Sequence, residues 1–134
     1  MDTIQIESMK NDSDATIAFC PVETGIALLA GKWKGRILWK LHTNSVMRFG
    51  ELRRALGKIT EKMLAQQLRE LESVGLVERT VYTEVPPRVD YRLSGLGLTI
   101  APILDSFAAW GVENKDSIAK IIASEARRHY AVGG

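Results

Sequence analysis

The chain has 134 residues and a mass of 14.9 kDa, which is the size of a single domain. Its composition, 46% hydrophobic and 25% charged with four prolines, excludes a chain that is disordered throughout. No apolar run approaches the ~18 residues of a membrane-spanning helix and no secretory signal is visible, so we expect neither a membrane protein nor an exported one. One cysteine and two distant histidines are too few for an internal disulfide or a structural zinc site, and they favour a reducing, cytosolic setting.

Positive charge is concentrated in the middle of the chain. Residues 32–92 contain thirteen Lys and Arg against seven Asp and Glu, a net charge of +6, whereas the remaining residues contain five against nine, a net charge of −4. This layout is expected of a protein that presents one face to a polyanion. Interspersed Lys and Glu are also common on any solvated helix, so the charge by itself leaves both interpretations open.

The first part of the chain predicts an arm followed by helices. Residues 1–13 are mixed and polar and predict a flexible arm ahead of one domain over 14–134. Pro21 favours the start of a helix that ends near Gly31. A second helix is predicted over 34–41 from its apolar face.

Residues 49–74 have the pattern of a helix-turn-helix. An extended link at 48–49 leads into a short helix over 51–56, which Gly57 ends. Thr60 is a good N-cap for the longer helix over 61–74. The inward face of that helix is a stripe formed by Leu64, Leu68 and Leu71.

A change in the spacing of apolar residues, from helical to alternating, predicts a β-hairpin, or wing, over 77–93. Residues 88–93 alternate apolar and charged side chains, and 77–83 is the antiparallel partner. Pro86 and Pro87 between them predict the hairpin tip.

Two helices over 95–131 complete the predicted chain. Ser94 can cap the first of them, which Pro102 is expected to kink or to begin. The whole order of elements predicts an α+β fold, mostly α: a winged helix-turn-helix with additional N- and C-terminal dimerisation helices.

The leucine stripe predicts a DNA-binding face on the opposite side of the same helix. A B-form major groove admits an α-helix, Gln and Lys can read base edges there, and the helix N-terminus suits a phosphate. Arginines of the preceding helix and of the wing are expected to contact the backbone or the minor groove. The alternative is that these residues are only exposed polar groups on an α+β domain. The candidate DNA-binding residues are Lys34, Arg53, Arg54, Thr60, Glu61, Lys62, Met63, Gln66, Gln67, Arg69 and Arg88.

The sequence resembles the HxlR-type helix-turn-helix regulators, bacterial transcription factors related in fold to the MarR group. Small departures are Ala30 where a second glycine is usual, Asp90 where Glu is usual, and Ser94 where Thr begins the cap. The matching segments, in the family's order and spacing, are Cys20-Pro21-Val22, Leu29-Ala30-Gly31-Lys32-Trp33-Lys34, Arg48-Phe49-Gly50-Glu51-Leu52-Arg53, Ile59-Thr60-Glu61-Lys62-Met63-Leu64, Leu71-Glu72-Ser73-Val74-Gly75-Leu76-Val77, Pro86-Pro87-Arg88-Val89-Asp90-Tyr91 and Trp110-Gly111.

The resemblance implies a cytoplasmic, nucleoid-associated homodimer that binds an inverted repeat in double-stranded operator DNA. The sequence supports dimerisation separately, because the apolar seam from Ile103 to Ile122 is more than one small domain needs to cover its hairpin. The first and last helices are expected to pack across a two-fold axis. The alternative is that these residues belong to the core of the monomer. The predicted dimer seam consists of Val22, Ile26, Leu29, Ile103, Phe107, Trp110, Ile118, Ile121 and Ile122.

The resemblance also implies a role for Cys20, since in several family members the cysteine before this proline senses oxidants or electrophiles. A position at a helix N-terminus favours the thiolate form, whereas Glu23 within one turn opposes it. The alternative is a buried cysteine that serves as a small hydrophobic residue. With no second cysteine in the sequence, a disulfide would have to join two subunits or a small thiol.

Two other functions compete with the regulator. A winged helix can serve protein–protein contact without specific DNA binding, its basic face meeting an acidic partner. An enzyme such as a thiol peroxidase is not expected, because no acid–base pair, phosphate loop or metal cluster is visible and no cofactor is implied.

Overall fold

The chain alternates helices with a small sheet in the order of a winged helix. The computed structural model describes residues 20–133, so the predicted arm over 1–13 lies outside the described residues. The fold is α+β and mostly α, as predicted, with helices added on both sides of the helix-turn-helix. Its elements in chain order are α1 (Pro21–Leu28), α2 (Lys34–Asn44), β1 (Val46–Arg48), α3 (Phe49–Leu56), α4 (Glu61–Ser73), β2 (Val77–Tyr82), β3 (Arg88–Leu93), α5 (Gly95–Glu113) and α6 (Lys115–Gly133).

The sheet has three antiparallel strands in the order β1-β3-β2. Strands β2 and β3 form the predicted hairpin, in a register that pairs Val81 with Val89. Strand β1 was not predicted: instead of an extended link at 48–49, residues 46–48 pair with β3, and Phe49 already belongs to α3. Three residues are too few to show an alternating pattern, so β1 is defined by its partner strand.

Leucines from the helices and the sheet meet in one core. The predicted stripe of α4, formed by Leu64, Leu68 and Leu71, is confirmed as inward, with each side chain at most 1% exposed. This burial decides which side of α4 faces outward. The stripe lies in a cluster with Ile37, Leu38, Leu41, Met47, Leu52, Leu56, Leu76, Val77, Tyr91 and Leu93.

Helix α5 is docked by the turn that precedes it. Ser94 caps the helix as predicted: the backbone N–H of Gly97 donates to Ser94 Oγ at 2.9 Å, and that hydroxyl donates to the carbonyl of Gly75. Gly97 lies so close to the carbonyl oxygen of Leu76 that an added Cβ would overlap it. The helix runs on through Pro102, so this proline does not mark its start; the serine cap does.

Length and composition alone would allow α5 to cross a membrane, contrary to the expectation that no apolar run is long enough. It is the one such helix among the described residues, and the core helices of ordinary domains can be equally long and apolar. Here Ala101 and Leu104 are buried, and Asp105 Oδ1 accepts a hydrogen bond from His42 Nε2 of α2 at 3.0 Å. The contacts of α5 with α2 and the sheet account for one side of its apolar surface.

The other side of α5 is exposed, together with the apolar residues of α1 and α6. Leu29 and Ile118 are half-buried, whereas the other seven residues of the predicted dimer seam are exposed in the single chain. Two open apolar grooves, of about 390 and 420 Å³, meet at Phe107. The core of one chain therefore uses little of this surface.

Candidate DNA-binding surface

Helix α4 begins at a cap that orders its first turn. Thr60 Oγ1 accepts a hydrogen bond from the backbone N–H of Met63 at 3.1 Å, which confirms the predicted N-cap. The remaining N–H groups of the first turn have no helical carbonyl to bind and form the positive end of the helix dipole. This end of α4 is exposed, because Thr60, Glu61 and Lys62 are all exposed. It can therefore receive an anion such as a phosphate.

The outward side of α4 carries polar and flexible side chains. Lys62, Met63, Gln66 and Arg69 are exposed, as their spacing predicts for the face opposite the leucine stripe. Gln67 is half-buried, and its amide Nε2 donates to Met63 Sδ at 3.6 Å. The side chains predicted to read bases thus lie along one side of one helix.

Arginine 53 of α3 spans the turn between α3 and α4. Its Nε donates to the carbonyl of Ile59 at 3.3 Å, and its guanidinium forms an ion pair with Glu61 at 3.2 Å. Arg53 therefore holds the turn in addition to lying beside the N-terminus of α4. Its neighbour Arg54 is exposed and has no ion pair with any residue between 20 and 133.

Lysine 34 connects α2 with the far end of α4. Its Nζ donates to Glu70 Oε1 at 3.0 Å, and its side chain is only 18% exposed. The hydrogen bond from Lys34 holds the pKa of the Glu70 carboxyl below its usual range. Lys34 is thus engaged behind the outward face, where it positions α4 against α2.

Arginine 88 lies where the hairpin tip meets β3, with its guanidinium already occupied. Its Nε and Nη2 donate to the two oxygens of Asp90 at 3.0 and 2.8 Å, and it stacks over the ring of Tyr82 at 4.7 Å. Asp90 is only 1% exposed. The two hydrogen bonds from Arg88 hold the pKa of the Asp90 carboxyl below its usual range, and Asp90 in turn raises the pKa of Arg88. The arginine expected to reach a minor groove is therefore bonded to Asp90 on its own strand, near the tip of the wing.

The six candidate cations accordingly fall into two classes that the sequence did not separate. Lys34, Arg53 and Arg88 are paired with acids, whereas Arg54, Lys62 and Arg69 have no acid within ion-pair distance among residues 20–133. The pairs Arg53–Glu61 and Lys34–Glu70 join different elements, so no local spacing reveals them. Arg88 and Asp90 are two apart on one strand and share a face, a signal that could have been used.

Sequence reasoning also missed Arg36 as a support for the helix-turn-helix. Its Nη2 donates to the carbonyl of Leu56, the last residue of α3, at 3.1 Å. The same guanidinium lies 4.7 Å from the ring of Trp33. A helix C-terminus leaves carbonyls without partners, and an arginine can satisfy one of them.

Cysteine 20 lies at the N-cap of α1 and is half-buried. Its carbonyl accepts from the backbone N–H and the hydroxyl of Thr24, both at 3.0 Å, and Glu23 lies in the first turn. Between residues 20 and 133, no three His, Cys, Asp or Glu side chains are grouped to hold a metal ion. The thiol is thus placed at the start of the helix that carries Val22 and Ile26 of the seam.

Comparison with known proteins agrees with this geometry. The model of the HxlR-like helix-turn-helix family matches residues 28–119. The uncharacterized HTH-type transcriptional regulator YdeP of Bacillus subtilis is 45% identical over 105 residues, which cover 78% of this chain and 81% of that protein.

Solved structures with the same fold include two regulators. The redox regulator HypR in its reduced form is 42% identical with a TM-score of 0.71, covering 75% of this chain and 99% of that one. The reduced form of the transcriptional regulator YodB from B. subtilis is 35% identical with a TM-score of 0.61, covering 69% and 91%. The chain therefore belongs to the HxlR-like helix-turn-helix family of transcriptional regulators.

Proposed function

We propose that the chain regulates transcription in the cytoplasm by binding double-stranded operator DNA as a homodimer, with α4 of each subunit in a major groove. The observation that carries this proposal is the two-sidedness of α4: its leucine stripe is at most 1% exposed, and its opposite face carries Lys62, Met63 and Gln66 in solvent. Because a homodimer has two-fold symmetry, the operator is expected to be an inverted repeat.

Each class of cation has its own role in this proposal. Arg54, Lys62 and Arg69 are available for DNA, where Arg and Lys contact phosphates or bind guanine. Gln66 and Gln67 can read adenine, and Met63 can contact a thymine methyl group. Thr60 and Glu61 belong to the exposed N-terminus of α4, where the free N–H groups suit a phosphate. Lys34, Arg53 and Arg88 position α4, the turn and the wing through their ion pairs.

The experiment is selection of bound DNA from a random library, followed by titration of the selected operator and of random DNA at several salt concentrations. The operator should bind orders of magnitude more tightly than random DNA, with a steep salt dependence. Gln66→Ala should lower discrimination between operator variants by about 1–3 kcal/mol if Gln66 reads a base.

Arg54→Gln should weaken binding to all sequences and flatten the log–log salt slope by about one unit. Its matched control is Arg128→Gln on α6, which removes an exposed arginine far along the chain and should leave the slope unchanged. Equal affinity for operator and random DNA would reject the proposal and favour a winged helix that contacts an acidic protein instead.

We further infer that Cys20 makes the regulator respond to oxidants or electrophiles. In support, the thiol is partly accessible at the start of α1, a helix of the seam, and HypR, a similar protein, is described as a redox regulator. A peroxide, itself reduced to water, would convert the Cys20 thiol to a sulfenic acid, and attack by a second thiol with loss of water would give a disulfide to the partner's Cys20 or to a small thiol. Diamide would give the same disulfide directly as it is reduced to the hydrazine, and a quinone would add covalently to the thiol.

This inference is tested by adding diamide or a quinone to wild type and to Cys20→Ser while operator binding is followed. The wild type should change its affinity with the reagent, and the variant should keep its affinity unchanged. An equal response of both proteins would exclude Cys20 as the sensor and leave the DNA-binding proposal intact.

A further inference from the structure

A recess of about 260 Å³ lies on the side of the molecule where α2, the sheet and the start of α5 meet. We call it the α2–β1 recess. Its apolar walls come from four different elements, and its polar groups are one hydroxyl, one imidazole and one guanidinium. The lining residues are Leu41, His42, Ser45, Val46, Arg92, Leu93 and Leu98.

The guanidinium of Arg92 is the unusual group in this recess. Its Nε is fully buried and has no hydrogen-bond acceptor among residues 20–133. A buried donor without an acceptor destabilises the structure, and an arginine keeps its charge under all ordinary conditions. In addition, the positive charge of Arg92, which lines the recess, forms no ion pair with an acid among residues 20–133.

None of the acids near Arg92 accepts a hydrogen bond from its guanidinium or forms an ion pair with it. Asp90, two residues earlier on β3, accepts both of its hydrogen bonds from Arg88. Asp105 is bonded to His42, and Glu78, the cross-strand partner of Arg92 on β2, is exposed and lies beyond ion-pair distance. The other basic groups in the neighbourhood, Arg48 and Arg88, add to the positive potential around Asp90.

The helix ends at the recess act in opposite directions on an anion. The C-terminal end of α2 is partially negative, but its Lys40 carbonyl accepts hydrogen bonds from Asn44 at 2.9 Å and Thr43 at 3.2 Å. The N-terminal end of α5, to which Leu98 belongs, is partially positive. The full charge of Arg92 outweighs either partial charge, and the lining of the recess contains no carboxylate, so the lining favours an anion over a cation.

We propose that the α2–β1 recess binds a small aliphatic carboxylate, with the carboxylate on Arg92 and the hydrocarbon part against Leu41, Val46 and Leu98. A carboxylate matches the planar guanidinium, and a branched hydrocarbon matches walls made of leucine and valine side chains. The volume suits a molecule of a few carbon atoms rather than a nucleotide or cofactor. The proposal is independent of DNA binding, since its readout is the binding of the small molecule itself.

The test uses 4-methylpentanoate as the probe, titrated into the ¹⁵N-labelled full chain and followed by NMR and calorimetry. Saturable binding is expected, with amide shifts confined to residues 41–46 and 92–98. The neutral amide, 4-methylpentanamide, and acetate should each bind at least about tenfold more weakly, because one lacks the charge and the other the hydrocarbon part.

Arg92→Gln should weaken binding of 4-methylpentanoate by about ten- to a hundredfold. The matched control is Arg79→Gln on β2, whose arginine lines a different recess and should leave the affinity unchanged. Leu98→Glu provides a second variant at an exposed position, where the new carboxylate should compete for Arg92 and remove binding.

Several results would overturn the proposal. These are failure of wild type to bind the probe at about 10 mM, equal affinity for the amide, amide shifts centred elsewhere in the chain, or wild-type affinity in Leu98→Glu. If Arg92→Gln is unfolded by circular dichroism, Leu98→Glu and the three probes decide the question.

Discussion

Large apolar side chains differ in burial between the middle of the chain and its two ends. From α2 to β3, leucines and isoleucines are almost completely buried, as Leu52 and Leu64 at 0% exposure illustrate. In α1, α5 and α6, large apolar residues stay exposed, among them Val22 at 67% and Phe107 at 60%. The helix-turn-helix and wing thus have a core that is complete within one chain. The end helices present a surface whose burial requires something outside that core.

Leu64→Ala is expected to have the largest effect, because it opens a cavity in the complete core. The free energy of unfolding should fall by about 2–5 kcal/mol, measured by urea denaturation. The matched control, Leu96→Ala on α5, removes the same atoms from a side chain that is 57% exposed and should change stability by no more than about 0.5 kcal/mol. Similar losses in both variants would mean that burial does not distinguish the two regions.

Phe107→Glu tests the other side of the comparison. If the exposed seam is buried between two copies of the chain, a charge at its centre should raise the dimer dissociation constant by at least about tenfold, since burying an unpaired carboxylate is costly. Sedimentation equilibrium measures this change. Val81→Glu places the same charge on an exposed valine of β2, outside the seam, and should leave the assembly unchanged. A wild-type chain that is monomeric at all concentrations would contradict the proposed homodimer.

Gly97→Ala probes the junction where the two regions meet. Its methyl group would overlap the carbonyl oxygen of Leu76, so α5 must shift away from the turn between α4 and β2. A loss of about 1–3 kcal/mol in the free energy of unfolding is expected, measured by thermal or urea denaturation. Gly95→Ala adds the same methyl group two residues earlier, where nothing lies within 4 Å, and should not destabilise the fold. If the free energy of unfolding of Gly97→Ala equals that of the wild type, α5 can shift away from this turn without loss of stability.

The elements that were predictable from sequence are those defined by local periodicity and caps. Thr60, Ser94 and the stripe around Leu68 all have the predicted roles, because a cap or an i, i+4 pattern acts within one helix. Strand β1 and the close approach at Gly97 depend on partners that are distant in sequence. No local pattern contains that information, so these features required the folded chain.

The candidate site divides in the same way. The outward placement of Lys62 and Gln66 followed from the burial of the opposite face, so the sequence was sufficient. The engagement of Lys34 with Glu70 depends on how α2 packs across α4, 36 residues away. Sequence reasoning counts charges, but it cannot assign the partner of each one.

Asp90→Asn measures how much the ion pair between Arg88 and Asp90 stabilises the wing. The variant keeps the shape of the side chain but removes the buried anion that Arg88 binds, so its melting temperature at pH 7 should fall by several degrees. The sign of the pH dependence follows from the lowered pKa of Asp90 in the folded chain. The stabilisation by the ionised Asp90 carboxylate is fully present above the ordinary aspartate pKa of about 3.9. It is lost as the pH falls through the lower pKa that Asp90 has in the folded chain. Thermal denaturation from pH 7 to pH 2 should therefore show that the difference in melting temperature between wild type and variant closes only below about pH 4.

The control is Glu84→Gln at the exposed hairpin tip, which removes a carboxylate that makes no ion pair with the described residues. Its melting temperature should differ little from that of the wild type at every pH. A gap for Asp90→Asn that stays constant down to pH 2 would mean that the charge of Asp90 does not stabilise the wing.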